Sequence, residues 1–297
     1  EVEDFPKSFH GAFNYVDEIW VASEFMRRAF LKVSPKPVFK YCLPILTPQV
    51  GQSLSRADLS LPAKFIFLFS FDLLSVLERK NPLGLIEAFT RAFPDGAGPA
   101  LVIKTINGDK RCLEMEKMRY AIRGRSDIIL MDAYLSQTEN STLAALADCY
   151  VSLHRSEGFG LTIAEAMALG KPAIATAYSG NIEFMTPDNS YLCPARRSEV
   201  GPDREPYPAT SHWSEPDIET AAQLLRGVYA HQEEARARGL RAAEDIRKHY
   251  SPQVAGAQIR DRLATIRRRR SSHPVHSVAF LEDLPEEVKR EKGVERP

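Results

Sequence analysis

Two glutamates, eight residues apart, flank a glycine-rich turn in the middle of this chain of 297 residues. Glu157 precedes the turn 158–160 (Gly-Phe-Gly), and Glu165 follows it on a segment that is predicted to be helical from Leu161 onward. The two glycines lack a Cβ atom, so the backbone can approach a ligand closely there and can adopt positive φ angles. The free N–H groups and the positive dipole end of the helix point back at the turn, which favours the binding of a phosphate group.

Glu165 has no basic neighbour on its own predicted helix. The positions three and four residues away hold Leu161, Thr162, Ala168 and Leu169. A carboxylate on such an apolar helix needs a partner from elsewhere, either a distant cation or the hydroxyl groups of a ligand. A phosphate-binding turn beside an acceptor for two hydroxyls suits a nucleotide sugar. The alternative is a solvated Glu157 and a structural ion pair at Glu165.

The segment from Glu157 to Glu165 resembles the donor-site signature of retaining, family-4 type glycosyltransferases of the GT-B fold, also called glycosyl transferases group 1. The resemblance runs from about Val16 to about Ile266. It implies that Glu165 binds the ribose hydroxyls of a UDP- or GDP-sugar and that Glu157 lies near the transferred sugar. The other donor-binding residues predicted at this turn are Gly158, Phe159, Gly160 and Leu161.

A basic pair, Arg79-Lys80, precedes Asn81 and Pro82, which are typical of a helix N-cap and first helical position. Cations before a helix N-terminus can help hold a diphosphate, on which negative charge develops as a sugar departs. The resemblance assigns Lys80 to the donor phosphates. The family usually has Gly-Arg after its first strand, where this chain has Phe71-Asp72, so Arg79 is the predicted substitute for the second cation. The alternative is a pair of exposed charges.

A third group, Ser179-Gly180-Asn181, resembles the family's small-residue turn beneath the donor phosphates. We expect backbone N–H groups and the Asn181 amide to face the ligand there, and an ordinary loop with a helix cap is the alternative. Lys104 and His154 lie at the ends of two predicted strands and are left outside the predicted site. In the family, the segment matching 130–134 contacts the nucleobase through backbone atoms, which leaves uracil and guanine both open.

Apolar runs of strand length alternate with helical stretches and predict a doubly wound parallel sheet, a Rossmann-like α/β domain. The predicted strands are 64–71, 100–106, 127–131, 149–153 and 172–177, with shorter ones at 15–23 and 38–44. The predicted helices are 24–32, one that begins at Asn81-Pro82, 110–124, 138–147, 161–169, 216–231 and 233–249, and a proline-rich loop is predicted at 194–214.

The resemblance divides the chain into four predicted parts. They are a remnant of the acceptor-side domain at 1–47, the donor-binding domain at 48–250, a crossing helix at 251–267 and a polar tail at 268–297. Because the earlier acceptor-side part of the family's fold is missing from the chain, we expect this fragment to bind a nucleotide sugar yet transfer the sugar weakly or not at all. Peripheral membrane contact through that missing part stays open.

Composition argues against several other classes of protein. The formal net charge is zero, which gives no general attraction to nucleic acid. No run of about eighteen apolar residues suggests a transmembrane helix. The four cysteines lack any Cys-x-x-Cys spacing and indicate reduced thiols in a cytoplasmic protein. There is no Asp-x-Asp motif, so we expect neither a metal nor a cofactor; the nucleotide sugar is a substrate.

These observations predict an enzyme that transfers a sugar, with retention and without a metal, from a nucleotide-diphospho-sugar to an unidentified acceptor. The resemblance points to glycan, lipid or other glycoconjugate acceptors, as in bacterial glycoconjugate biosynthesis. The alternative from a different class is a nucleotide-sugar-binding module without catalysis, with a regulatory or assembly role. A sugar phosphorylase on the same fold is a weaker option, because nothing in the sequence singles out a lysine-bound cofactor.

Overall fold

The computed structural model describes residues 1–51, 53–94 and 98–272, with the side chains of 270–272 left out. The chain forms one compact unit, Glu1–Ala255, and a second unit that begins at Gly256. The strands are β1 Ile19–Val21, β2 Val38–Lys40, β3 Ile66–Asp72, β4 Ala100–Ile106, β5 Ile128–Asp132, β6 Cys149–Ser152, β7 Ala173–Thr176, β8 Tyr191–Cys193, β9 Ala195–Glu199 and β10 His212–Pro216. The α-helices are α1 Glu24–Leu31, α2 Leu77–Lys80, α3 Pro82–Ala92, α4 Cys112–Ala121, α5 Gln137–Leu146, α6 Leu161–Ala168, α7 Ile218–Ala230, α8 Gln232–His249 and α9 Pro252–Ser272.

A six-stranded sheet in the order β5-β4-β3-β6-β7-β8 forms the centre of the first unit, and every neighbouring pair is parallel. The chain enters at β3, builds outward to β5 and then returns to the other side of β3 with β6. This reversal creates a topological switch point between β3 and β6, where doubly wound sheets bind their ligands beyond the carboxyl ends of the strands.

The sheet is covered on both faces, as its apolar strands predict. Phe67 and Phe69 of β3 pack in one core with α3, α4 and α7. Ile66 and Leu68 point the other way, into a second core with α5, α6 and α8. The predicted doubly wound α/β fold is therefore confirmed.

The structure differs from the predicted elements in three ways. The predicted loop 194–214 contains β9 and the first residues of β10, and these two strands pair in antiparallel orientation. Both strands are largely polar, so no apolar run in the sequence predicts them. Two short elements were not predicted: β8, which is the last strand of the six-stranded sheet and has three residues, and the one-turn helix α2, which has four. Helix α9 continues to Ser272, past the predicted end at 267, since arginine is a good helix former. The rest of the predicted tail, 273–297, lies outside the described residues.

The N-terminal region holds a small parallel unit, β1-α1-β2, within the same compact body as the large sheet. A 3₁₀ helix at Lys7–Tyr15 precedes it, so the strand predicted at 15–23 shortens to β1. Ser23 caps α1 by accepting a hydrogen bond from Met26 N at 3.2 Å, as its position before the helix predicts. Among the described helices, none is long and apolar enough to cross a membrane.

Candidate functional site

In the glycine-rich turn between β6 and α6, Gly160 adopts the positive φ angle that the sequence allows, whereas Gly158 does not. Gly160 is the N-cap of α6 and has a φ angle of 93°, a conformation that strains any residue with a side chain. Gly170 follows the last residues of the helix at φ 75°, and its N–H donates to Met167 O. The predicted helix and its glycine stop are therefore both present, and the free N–H end of α6 faces the turn.

Glu157 lies in a buried ion cluster with the two predicted cations. Its Oε1 is 2.5 Å from Lys80 Nζ, and its Oε2 is 3.4 Å from Arg79 Nη1. Burial favours a higher pKa for Glu157, but attraction to Lys80 and Arg79 outweighs it and lowers the pKa to about 2. The Glu157 carboxylate is therefore ionised throughout the physiological pH range.

Helix α2 brings the two cations to this cluster. Asn81 ends α2 in the left-handed conformation at φ 54° and then accepts a hydrogen bond from Gly84 N as the cap of α3. Its side-chain Nδ2 donates to Leu153 O at 2.8 Å, which ties the α2–α3 corner to the end of β6. The predicted N-cap at Asn81 is confirmed, and the same side chain sets the distance between the cations and the turn.

Arg79 differs from the exposed charge that the alternative interpretation assumed. Arg79 is only 3% exposed, and its Nη1 donates to Ser156 O at 3.0 Å. Within the described part of the chain, Arg79 Nε and Ser156 Oγ are buried without a hydrogen-bond partner. Such unpartnered buried groups are rare and mark a place where strain or an unseen ligand is expected.

The segment after β7 packs directly against the glycine-rich turn. Glu157 N donates to Ser179 Oγ at 2.8 Å, and Gly180 N donates to Glu157 O at 2.9 Å. A Cβ atom on Gly180 would overlap with the carbonyl group of Gly158 and lie 2.5 Å from Phe159 N. The structure thus brings the first and third predicted groups together, with no room for a side chain at Gly180.

The side chain of Asn181 differs from the predicted phosphate donor. It is completely buried, Nδ2 donates to Thr176 O at 2.9 Å, and Oδ1 accepts from His154 Nε2 at 3.1 Å. Because both ends of the amide are used inside the protein, Asn181 positions the loop and does not offer its amide to a ligand. His154 is fully buried, and its Nδ1 accepts from Ser152 Oγ at 2.9 Å. Burial lowers the pKa of His154, so the ring is neutral and structural.

A cavity of about 720 Å³ opens beside the turn at the switch point between β3 and β6. It is lined by residues of β3, α5, β6, α6 and the segment before β3, namely Pro44, Leu46, Thr47, Pro48, Gln49, Leu68, Ser70, Gln137, Asn140, Ser141, Leu143, Ala144, Tyr150, Leu161, Thr162, Glu165 and Leu169. Across the switch point, Tyr150 Oη donates to Ser70 O at 3.2 Å and holds the two strands together. The volume is within the range of small-molecule sites.

Glu165 lines this cavity and forms no ion pair with any of the described residues. Burial raises the pKa of its carboxyl group, with no cation near enough to oppose the shift. The distant basic partner that the structural alternative required is therefore missing from the described part of the chain. Leu161 also lines the cavity, whereas Phe159 packs away from it on Phe184, with ring centroids 5.0 Å apart.

Several contacts that hold the site were not predicted from the sequence. Arg155 forms a bidentate ion pair with Glu215 of β10, and Ser214 N donates to Arg155 O at 3.0 Å. On the other side, Ser23 Oγ donates to Gly158 O at 2.6 Å. These partners lie 59 to 135 residues apart, so no local pattern announces them; the one available signal was the charged Arg155 next to the motif.

The described residues hold no group of three or more His, Cys, Asp or Glu side chains that could bind a metal ion. The expectation of metal-independent chemistry stays a prediction. The cations of the site are Arg79 and Lys80, which both pair with Glu157 just before the glycine-rich turn. They can balance a phosphate's charge as a metal ion otherwise would.

Comparison with known proteins connects this geometry to a family. Residues 59–200 match the family model described as glycosyl transferases group 1. No curated protein sequence matches the chain significantly. Among solved structures, a glycosyltransferase from Rickettsia africae aligns with a TM-score of 0.65 at 16% identity, over 89% of this chain and 67% of that one.

Two further solved structures have the same fold. HepE from Anabaena, in complex with UDP and glucose, aligns with a TM-score of 0.64 at 15% identity, over 86% of this chain and 65% of that one. Sucrose-phosphate synthase from Thermosynechococcus elongatus aligns with a TM-score of 0.63 at 20% identity, over 84% of this chain and 58% of that one. This chain thus spans roughly three fifths to two thirds of these relatives. The chain therefore has the α/β fold of GT-B glycosyltransferases, and its residues 59–200, with the Glu157–Glu165 motif, are similar to glycosyl transferases group 1.

Proposed function

We propose that this protein transfers a sugar from a nucleotide-diphospho-sugar to an acceptor, with retention of configuration and without a metal. The observation that carries the proposal is Glu165, a half-buried carboxylate that lines the cavity without a cation beside it. Two ribose hydroxyls supply the hydrogen bonds that such a group needs. The adjacent turn, with Gly160 at the start of α6 and with Lys80 nearby, supplies the phosphate end of the same ligand.

The charges of the site suit the departure of a diphosphate. Negative charge grows on the leaving phosphate in the transition state, and preorganised cations stabilise it most where water is excluded. Arg79 is buried and Lys80 is largely so, and both are held by Glu157 before any ligand arrives. In this proposal the diphosphate competes with the Glu157 carboxylate for Lys80, and the released carboxylate faces the transferred sugar.

The comparisons support the class of donor. HepE was solved with UDP and glucose, and a pneumococcal O-GlcNAc transferase that shares the fold was solved with UDP and GlcNAc. At 15% and 18% identity these likenesses concern the fold, so the donor of this chain is part of the proposal. The retained configuration follows from the family-4 resemblance of the motif.

Replacing Glu165 by glutamine tests the ribose contact. The amide keeps the shape but loses the charge-assisted hydrogen bonds, so we expect the affinity for UDP or GDP to fall by roughly 1–3 kcal/mol. Calorimetric titration measures the change, and Glu244→Gln on the exposed side of α8 serves as a matched control. Equal affinities in Glu165→Gln and the parent chain would contradict the proposed nucleotide site.

The stereochemical part of the proposal has its own test. When the chain is incubated with α-linked UDP- and GDP-hexoses, NMR recorded early should show the α-anomer as the first product, whether the acceptor is a sugar or water. Retention requires the incoming group to arrive on the face that the nucleotide leaves. A β-anomer that appears first would establish inversion and remove the retaining assignment while leaving nucleotide binding intact.

A further inference from the structure

Lys104 near the end of β4 is a buried cation that the proposed function does not yet use. The residue is 6% exposed and forms no ion pair with any of the described residues. Burial lowers the pKa of its ammonium group, and the attraction of Asp132 and Asp72 opposes this only in part. The ammonium end of the side chain is only partly enclosed, and no described carboxylate forms an ion pair with it. A partly desolvated cation without a close partner is costly, so it indicates a group that a ligand satisfies.

The two carboxylates that attract Lys104 each accept hydrogen bonds from other donors through one of their oxygens. Asp132 Oδ1 accepts from Thr105 Oγ1 at 3.0 Å and from Gly108 N at 3.3 Å. Asp72 Oδ1 accepts from Asn107 Nδ2 at 2.7 Å and from Leu74 N at 2.9 Å. These bonds hold both acids in the loops that follow β5 and β3. Both acids thus attract Lys104, but neither forms an ion pair with it.

The register of the sheet places Lys104 on the same face as the cavity. Lys104 pairs with Ser70 of β3 and with Met131 of β5, and paired residues of parallel strands project to one face. Ser70 lines the cavity, and so does Leu68, two residues earlier on the same face. Since neighbouring strands lie about 4.8 Å apart, Lys104 leaves the sheet one strand beyond the cavity wall that Ser70 forms.

The direction of the ligand follows from the order of the strands. The phosphate end, with Lys80 and Glu157, belongs to the side of β6 and β7, because the turn follows β6 and Ser179 follows β7. Glu165, which would bind the ribose, lines the cavity between β3 and β6. A nucleotide whose phosphates lie toward β7 extends its base in the opposite direction, toward β4 and β5. Lys104 of β4 is a cation on that side of the sheet.

We infer that Lys104 donates a hydrogen bond to the carbonyl oxygen at the far edge of the nucleobase, so that the donor carries uracil or guanine. The inference rests on the proposed function and names the residue that selects the base of its donor. An ammonium group has three donors and no acceptor. Cytosine and adenine present an amino group at that edge. The amino group and the Lys104 ammonium are both hydrogen-bond donors, so neither would find an acceptor in the other.

Matched nucleotide pairs test this inference. At that edge UDP has a carbonyl group where CDP has an amino group, and GDP and ADP differ in the same way. Calorimetric titration of the 297-residue chain should show the carbonyl member of at least one pair binding about tenfold more tightly, which is about 1.4 kcal/mol. Lys104→Met keeps the apolar stem and removes the ammonium, so the preference should fall to within about twofold.

Two further variants make the test specific. Lys110→Met makes the same change at an exposed lysine six residues away and should leave the preference unchanged. Lys104→Gln supplies an amide oxygen that can accept from an amino group, so CDP or ADP should bind more tightly than in the parent chain. A melting curve of each variant shows whether it is folded, and Lys104→Gln decides the matter if Lys104→Met does not fold.

The outcomes separate this inference from the proposed function. Tight nucleotide binding without a carbonyl preference, or a preference that survives Lys104→Met, would overturn the role of Lys104 alone. Glu165→Gln should weaken both members of each pair equally. If Glu165→Gln has no effect, or if no nucleotide binds, the nucleotide site itself is wrong, and the inference falls with it.

Discussion

Replacing Gly180 by alanine is expected to destabilise the protein by about 3 kcal/mol or more, although it adds only one methyl group. The added Cβ would overlap with the carbonyl of Gly158 and lie 2.5 Å from Phe159 N. These are backbone atoms of the glycine-rich turn, so no flexible side chain can move aside. Overpacking of this kind costs typically 1–3 kcal/mol, and more where backbone must shift.

Gly227→Ala provides the matched control for this change. Gly227 lies inside α7, and nothing is within 4 Å of the position that a Cβ would take. Alanine is the better helix former by about 0.5–1 kcal/mol, so this variant should be as stable as the parent or slightly more so. Thermal melting compares the two, and a difference of 1 kcal/mol corresponds to roughly 2–4 °C. A Gly180→Ala protein that melts with the parent would contradict the close packing of the two loops.

The parts of the fold that were predicted correctly share a local cause. The strands of the central sheet are continuous apolar runs. Asn81 caps a helix with its own side chain, and Gly170 ends one because it lacks a side chain and can adopt a positive φ angle. Helix α6 begins where the glycines of the motif end. Such features depend on a few neighbouring residues, so the sequence contains their whole explanation.

What could not be predicted depends on distant partners. The side chains of Arg155 and Glu215 meet across 60 positions in the chain, and the polar strands β9 and β10 gain their definition from pairing with each other. The amide of Asn181 faces inward because His154 and Thr176 take both its ends. The sequence predicted an Asn181 amide that faces a ligand, and the structure corrects this, since the packed neighbours of a side chain decide whether it is buried.

The candidate site shows the same division. The motif predicted that Glu165 has no cation on its own helix, and the fold adds that the other described residues supply none either. By contrast, the cluster of Glu157 with Arg79 joins residues 78 positions apart, and only the short helix α2, which was not predicted, brings them together. The full role of Lys104 depends likewise on register between strands, which composition does not reveal.

The second large effect is expected at Lys80. Lys80→Ala should weaken binding of a nucleoside diphosphate far more than binding of the bare nucleoside, because the lost partner belongs to the phosphate. It should also destabilise the fold by about 1–3 kcal/mol, since the buried Glu157 carboxylate then keeps only Arg79 as its counter-charge. Titration with both ligands and thermal melting measure the two effects. Equal weakening of nucleoside and diphosphate would place the phosphate site elsewhere.

A double variant separates the effect of Lys80 on stability from its effect on binding. When Lys80→Met is combined with Glu157→Gln, the charges of both residues are gone, so the protein should regain most of the stability that the loss of Lys80 alone removes, while diphosphate binding stays weak. The single variant Glu157→Gln should spare the nucleotide and reduce the preference for the sugar-bearing donor over the free diphosphate. If the double variant binds diphosphate as the parent does, Lys80 serves only to neutralise Glu157.

The pH dependence of stability tests the same ion cluster without any ligand. The pKa of Glu157 is about 2 in the folded protein, against an ordinary value of 4.5. A lowered pKa means that the ionised form stabilises the fold fully above pH 4.5 and that this contribution, about 3 kcal/mol, is lost as the pH falls toward 2. Glu157→Gln has no such group to protonate. Its melting temperature should therefore fall less steeply between pH 4.5 and pH 2 than that of the parent, and parallel curves would show that Glu157 is not held ionised by Lys80 and Arg79.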